Sequence, residues 1–160
     1  MRGHTKIWPV LLALLVALSL EVAPLPASVD ILRPPWMALT LIFWSMRQPG
    51  RFGVGVAWIM GLVLDVLTGS MLGQHALMLA LSTYLTITFY QRLRIVPIWQ
   101  QTLAVTGIIS LYTLIGVLID GMTSDLDGGA LRLMPIISAL IVWPPLYWLS
   151  DRLITPLMRD

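Results

Sequence analysis

The sequence predicts an all-α, polytopic membrane helix bundle with six transmembrane helices, forming a single transmembrane domain over residues 1–160. Three observations carry this. The first is composition: 58% of the residues are hydrophobic, 11% are charged and the mean hydropathy is +0.85, against about 45–50% apolar and about 25% charged in a soluble domain. So few polar residues cannot cover a water-facing surface, which argues against a soluble monomeric enzyme, a disordered scaffold or a nucleic-acid binder. The second is a series of six apolar runs broken by short polar turns, approximately residues 7–23, 35–48, 52–68, 71–90, 98–119 and 131–149. The third is that basic residues alternate between the two sets of breaks. With the N-terminus inside, Arg2, Lys6, Arg47, Arg51, Arg92, Arg94, Arg152 and Arg159 lie on the cytoplasmic side, and only Arg33 and Arg132 lie outside. That is the positive-inside asymmetry. Five or seven spans would break it, so both termini are expected in the cytoplasm of a multi-pass protein.

The first run follows Arg2 and Lys6 and is closed by Pro24-Leu25-Pro26, because proline lacks the backbone donor a helix needs. Its basic start and the small pair Ala27-Ser28 also permit a cleaved signal peptide. The second run opens on Pro34-Pro35, residues suited to a helix first turn. From Pro35 to Met46 the rise is only about 18 Å, short of the roughly 30 Å hydrocarbon core. That helix therefore extends further, thins the bilayer or is re-entrant. Arg47-Gln48-Pro49-Gly50-Arg51 forms a basic turn before the third run. Only Thr68-Gly69-Ser70 separates the third run from the fourth, so these two should be antiparallel neighbours. Pro97 precedes the fifth run, residues 120–129 form the one markedly polar loop, and Pro144-Pro145 should kink or break the sixth helix. Trp8, Trp36, Trp44, Trp99, Trp143 and Trp148 lie near span ends, where interfacial anchors belong.

Few residues could carry chemistry. The absence of cysteine excludes disulfides and thiolate metal sites, and His4 and His75 lie far apart without flanking ligands, so no cofactor or metal is expected. Asp125 and Asp127 of the polar loop, with Asp120, read as solvated acids, since no EF-hand pattern surrounds them. Asp65 lies within an apolar run, where a carboxylate costs about 2.5–3.5 kcal/mol on insertion scales and is usually retained for a purpose. It is expected to anchor the turn after the third helix by hydrogen bonding Thr68, Ser70 or backbone amides. A proton or ligand site involving His75 is the alternative. Gly53, Ala57 and Gly61 recur every fourth residue, and Gly69 and Gly73 repeat the spacing. Small residues so spaced let membrane helices approach closely, so they mark a packing or partner face. The segment Trp143-Pro144-Pro145 is a second candidate face.

Four stretches together resemble the MreD family of the bacterial rod-shape, or elongation, system. They are Arg33-Pro34-Pro35-Trp36, Gly61-Leu62-Val63-Leu64-Asp65 through Gly69-Ser70-Met71-Leu72-Gly73, Ile98-Trp99-Gln100-Gln101, and Val142-Trp143-Pro144-Pro145. The resemblance implies a non-enzymatic inner-membrane scaffold of the elongasome, needed for rod shape and lateral peptidoglycan synthesis. Its implied partners are MreC most directly, then MreB, RodA and a class B penicillin-binding transpeptidase, together with membrane lipid. The family is also similar in architecture to the S components of energy-coupling-factor transporters, which gives a small-molecule-binding transport subunit as the alternative.

Overall fold

The structure is a computed structural model that describes residues 7–123 and 129–157. Arg2, His4, Lys6, Asp125, Asp127 and Arg159 lie outside the described residues. Among those described there are seven α-helices: α1 (Trp8–Val22), α2 (Ala27–Asp30), α3 (Trp36–Arg47), α4 (Val54–Thr68), α5 (Gln74–Ile95), α6 (Ile98–Thr123) and α7 (Met134–Leu157). A 3-10 turn, Gly129–Leu133, leads into α7. The six longer helices match the six apolar runs, and α2 is a single turn that the apolar pattern does not announce.

The helices run alternately up and down. One cavity is lined by Glu21 from the end of α1, Pro35 before α3, Thr68 ending α4, Gln74 starting α5, Asp120 near the end of α6 and Pro135 at the start of α7. At the opposite end Gln101, in the first turn of α6, donates a hydrogen bond to the Leu93 carbonyl near the end of α5 (2.9 Å). There too, Arg47 at the end of α3 pairs with Asp151 of α7. Two helical segments, Ile98–Met122 and Gly129–Arg152, are long and apolar enough to cross a membrane, and Trp8–Val22 and Val54–Thr68 are shorter apolar helices.

The short second run is accounted for by its surroundings. Helix α3 packs against α1, α5 and α7. Of its ten residues from Met37 to Met46, all but Thr40 are buried. A helix enclosed all round by protein answers to its neighbours and not to the thickness of lipid. The outward residues of the surrounding helices, such as Leu12 and Leu15 of α1, Ile59 and Val66 of α4, Leu103 and Leu118 of α6 and Ile141 of α7, are exposed and apolar.

Three expectations are corrected. Helix α7 is not broken at Pro144-Pro145 but runs uninterrupted to Leu157. Proline deletes only its own N–H, and membrane helices tolerate that loss where neighbouring bonds hold the backbone. The polar loop does not begin at Asp120, because α6 continues to Thr123. Trp44 and Trp143 are not interfacial anchors: they are 2% and 0% exposed, whereas Trp8, Trp99 and Trp148 are more than half exposed.

Candidate functional site: two carboxylate caps beneath a polar cavity

The first turn of a helix leaves backbone N–H groups without intrahelical partners. In α5 these are met by a side chain from the preceding helix. The Asp65 side chain is fully buried. Its Oδ1 accepts from the His75 amide (2.8 Å), the His75 ring Nδ1 (2.9 Å) and the Ser70 hydroxyl (2.9 Å). Its Oδ2 accepts from the Gly73 amide (2.8 Å) and the Ala76 amide (3.4 Å). A negative charge at a helix N-terminus also interacts favourably with the helix dipole. The desolvation cost of the carboxylate is thus offset by five donors.

Local sequence makes this geometry accessible. Helix α4 ends at Gly69, whose φ of 68° is left-handed, and α5 begins after Gly73, whose φ of 98° is too. Both positions favour glycine. Nothing lies within 4 Å of a Cβ built on either. Gly69 and Gly73 therefore shape the turn and do not form the close helix contact their spacing suggests. Gly61 does form one: a Cβ there would lie 2.3 Å from the Ala76 Cα and 2.5 Å from the Ala76 nitrogen. Only glycine lets the start of α5 settle against α4 at the depth of Asp65.

Thr68 donates to the Leu64 carbonyl (2.8 Å) and meets Ser70 (3.1 Å), without touching Asp65 directly. Ser70 and Asp65 both approach the same imidazole nitrogen, Nδ1. The ring therefore does not bridge hydroxyl and carboxylate through its two nitrogens, as a nucleophile–base–carboxylate relay requires. The cluster caps and orders a turn.

A second carboxylate does similar work and was missed in the sequence. Glu21, in the last turn of α1, accepts the Met37 amide at the start of α3 (3.2 Å). Arg33 holds the same corner by donating to the Glu21 and Ala23 carbonyls and pairing with Asp30 (3.0 Å). The available signal was an acid in the last turn of an apolar helix, followed by a proline-led helix start.

Both capped corners border a cavity of about 910 Å³ at one end of the bundle. Across it, Arg132 pairs with Asp120 (3.3 Å), which also accepts from the Gln74 side chain (2.8 Å). No group of three or more metal-ligating side chains occurs among the described residues.

The candidate partner faces are placed differently from one another. Ala57 and Gly61 are buried, and Gly61 is turned to α5 and not outward; Gly53 lies in open space before α4. Trp143 faces inward, with its indole N–H 3.4 Å from Gln101 Oε1 and its ring against Tyr147. Pro144 is half-buried and Pro145 exposed. Most of the small-residue stripe and the tryptophan thus serve packing within the chain.

Residues 3–153 match the family model described as rod shape-determining protein MreD. The chain is 38% identical over 90 residues to the rod shape-determining protein MreD of Haemophilus influenzae, an alignment covering 56% of this chain and 56% of that relative. The chain thus spans little more than half the length of the curated relative it matches. No solved structure matches.

Proposed function

The chain belongs to the MreD family of rod shape-determining proteins, and from that premise we propose that it is a non-enzymatic scaffold of the cell-elongation complex, docking MreC within the inner membrane. The family match over residues 3–153 carries the proposal. At the coarser level it is a rod shape-determining membrane protein. The arrangement of its surfaces supports the finer reading. The turns between helices are short, so a partner must be recognised largely through lipid-facing helix surfaces. Apolar burial drives little association there, and packing and scattered polar contacts decide it. Since Gly61 and Trp143 are engaged internally, docking falls to outward faces, among them Gly53 and the exposed ridge of Trp58, Ile59 and Val66 on α4.

The proposed orientation puts the cavity end outside, with both termini in the cytoplasm. Arg47, Arg51, Arg92, Arg94 and Arg152 then gather on the cytoplasmic side. MreB, RodA and a class B transpeptidase would join through the complex. A transport subunit of S-component type is the competing reading, and the cavity is the feature that favours it.

The test is co-purification of MreC with the full chain in mild detergent, combined with photo-crosslinking residues placed at positions 53, 58, 66, 103 and 141. MreC crosslinked at one cluster of these positions is the expected result. MreC absent from the purified complex and from every crosslink would overturn the docking role.

A further inference from the structure

Between α5 and α6 lies a groove of about 250 Å³, lined by Leu85, Phe89, Leu93, Ala104, Gly107 and Ile108. Its shape follows from the sequence. Leu85, Phe89 and Leu93 recur every fourth residue and form one ridge of α5. Opposite them α6 offers Ala104 and Gly107, which carry almost no side chain. Phe89, Ala104 and Gly107 are exposed, and a Cβ built on Gly107 would meet nothing within 4 Å. From Leu85 to Leu93 the groove runs about 12 Å along the helix. At Leu93 the two helices are tied together, because Gln101 donates to the Leu93 carbonyl (2.9 Å).

Size and charge decide between the possible occupants. A helix is about 10–12 Å across, and one 5.4 Å turn of it displaces more than roughly 400 Å³. The groove is too small for that, whereas a single hydrocarbon tail, one methylene thick, can lie along it. The charge stands at the Leu93 end. There α5 closes on Arg92 and Arg94, both exposed, and neither forms an ion pair among the described residues. No acid occurs in the sequence between Asp65 and Asp120, and both of those carboxylates lie at the opposite end of the bundle. Arg92 follows Leu85 by seven residues and Phe89 by three, so it shares their face of α5. A helical side chain leans back over the preceding turn, which carries Arg92 toward Phe89. Gln100, also exposed, precedes Ala104 by four residues and shares its face of α6. Arg94, nine residues from Leu85, falls on the far side of α5. Trp99, 60% exposed beside Gln100, suits the headgroup level of a bilayer. An apolar slot thus opens beneath a cation and an amide donor.

We propose that this groove seats an anionic phospholipid, with a tail along Leu85, Phe89 and Gly107 and its phosphate at Arg92 and Gln100. Basic clefts between membrane helices hold such headgroups. The site needs only that the chain is embedded in a membrane, and stands whether or not MreC docks.

The experiment uses the full chain purified in a neutral mild detergent. Phosphatidylglycerol and phosphatidylethanolamine with identical tails are titrated in turn and read by native mass spectrometry. The parent chain should retain phosphatidylglycerol about fivefold more tightly. Arg92→Gln should abolish that preference, and Arg94→Gln should change it far less. Gly107→Leu fills the groove where nothing stands within 4 Å, and should lose the bound lipid while keeping the parent's melting temperature. Should that variant fail to fold, Ala104→Leu is read in the same way. Equal retention of the two lipids, equal effects of the two arginine variants, or phosphatidylglycerol binding untouched by Gly107→Leu would overturn the proposal. So would a dimer of this chain, or a crosslink to MreC from position 107, that Gly107→Leu disrupts while lipid binding persists.

Discussion

The two ends of the bundle solve the same problem with different chemistry. At the cavity end, helix starts are held by carboxylates borrowed from neighbouring helices: Asp65 for α5 and Glu21 for α3. At the other end, helix ends are held by aromatic packing around one arginine. Phe43 meets Trp44 and Tyr147 edge-on at centroid distances of 5.2 and 5.7 Å. The Arg47 guanidinium lies 5.4 Å from the Phe43 ring and 5.6 Å from the Tyr147 ring, and also pairs with Asp151. Gln101 links the Leu93 carbonyl and the Trp143 indole behind this cluster. Each end collects three helix starts and three helix ends, so polarity acts pair by pair: the N-termini of α3 and α5 meet carboxylates at the cavity end, and Arg47 sits in the last turn of α3 at the other, where a cation is favoured. The first end holds an open cavity, and the second packs aromatic rings against its arginines.

Substitutions ranked by expected effect sharpen this contrast. Gly61→Leu should be the most damaging, because even a Cβ would collide with the Ala76 backbone and the whole α4–α5 corner would have to separate. Membrane-fraction immunoblots should show little accumulated protein, while Gly53→Leu, with open space around it, should accumulate normally. Normal levels of the Gly61 variant would show that the corner is looser than drawn.

Asp65→Leu comes next. It strands several donors, each worth about 1–3 kcal/mol when buried, and should lower the detergent melting temperature sharply. Asp65→Asn keeps one acceptor oxygen and should be distinctly milder. If Asn abolished rod-shape complementation while leaving protein level and melting temperature unchanged, the carboxylate's charge would matter beyond capping.

At the aromatic end, Trp143→Phe loses the indole bond to Gln101 and some ring volume. A fall in stability of about 1–2 kcal/mol is expected, read as an earlier unfolding transition by tryptophan fluorescence. The smallest effect belongs to Asp151→Asn. Its carboxylate is 43% exposed, and a pair so placed contributes about 0–1 kcal/mol. Because the rings also hold Arg47, this variant should unfold within a degree or two of the parent. A large loss would mean that the ion pair, and not the aromatic seat, secures this end.

Six long helices could be read from the sequence because hydropathy and proline placement act locally. Run 98–119 and helix α6 share a start, and run 7–23 differs from α1 by a residue at each end. The turn glycines could be seen as small, but not as left-handed. Which way a residue faces could not be read. Trp143 looked like an interfacial anchor and is wholly buried, and the spacing of Gly61 left open an internal or a partner contact, of which the structure shows the internal one, against Ala76. In lipid, the solvent is as apolar as the core, so the inside and outside of a helix carry similar side chains. Glu21 escaped notice because its partner lies 16 residues away across a proline-rich connection. The cavity was equally hidden, since its lining comes from six separate helix ends and the turns between them.

The enclosed 12-residue α3 also bears on how the chain enters the membrane. At about 1.5 Å per residue it cannot bridge the hydrocarbon core unaided, and Arg33 and Arg47 stand at its two borders. Partitioned alone into lipid from the insertion machinery, it would drag charge inward or pinch the bilayer. Its burial is completed only when α5 and α7, synthesised later, close around it. Membrane integration of this segment is therefore a late, cooperative event. With single cysteines introduced within residues 36–47 of this cysteine-free sequence, ribosome-bound chains truncated before α5 should be labelled by aqueous thiol reagents, and chains extended through α7 should be protected.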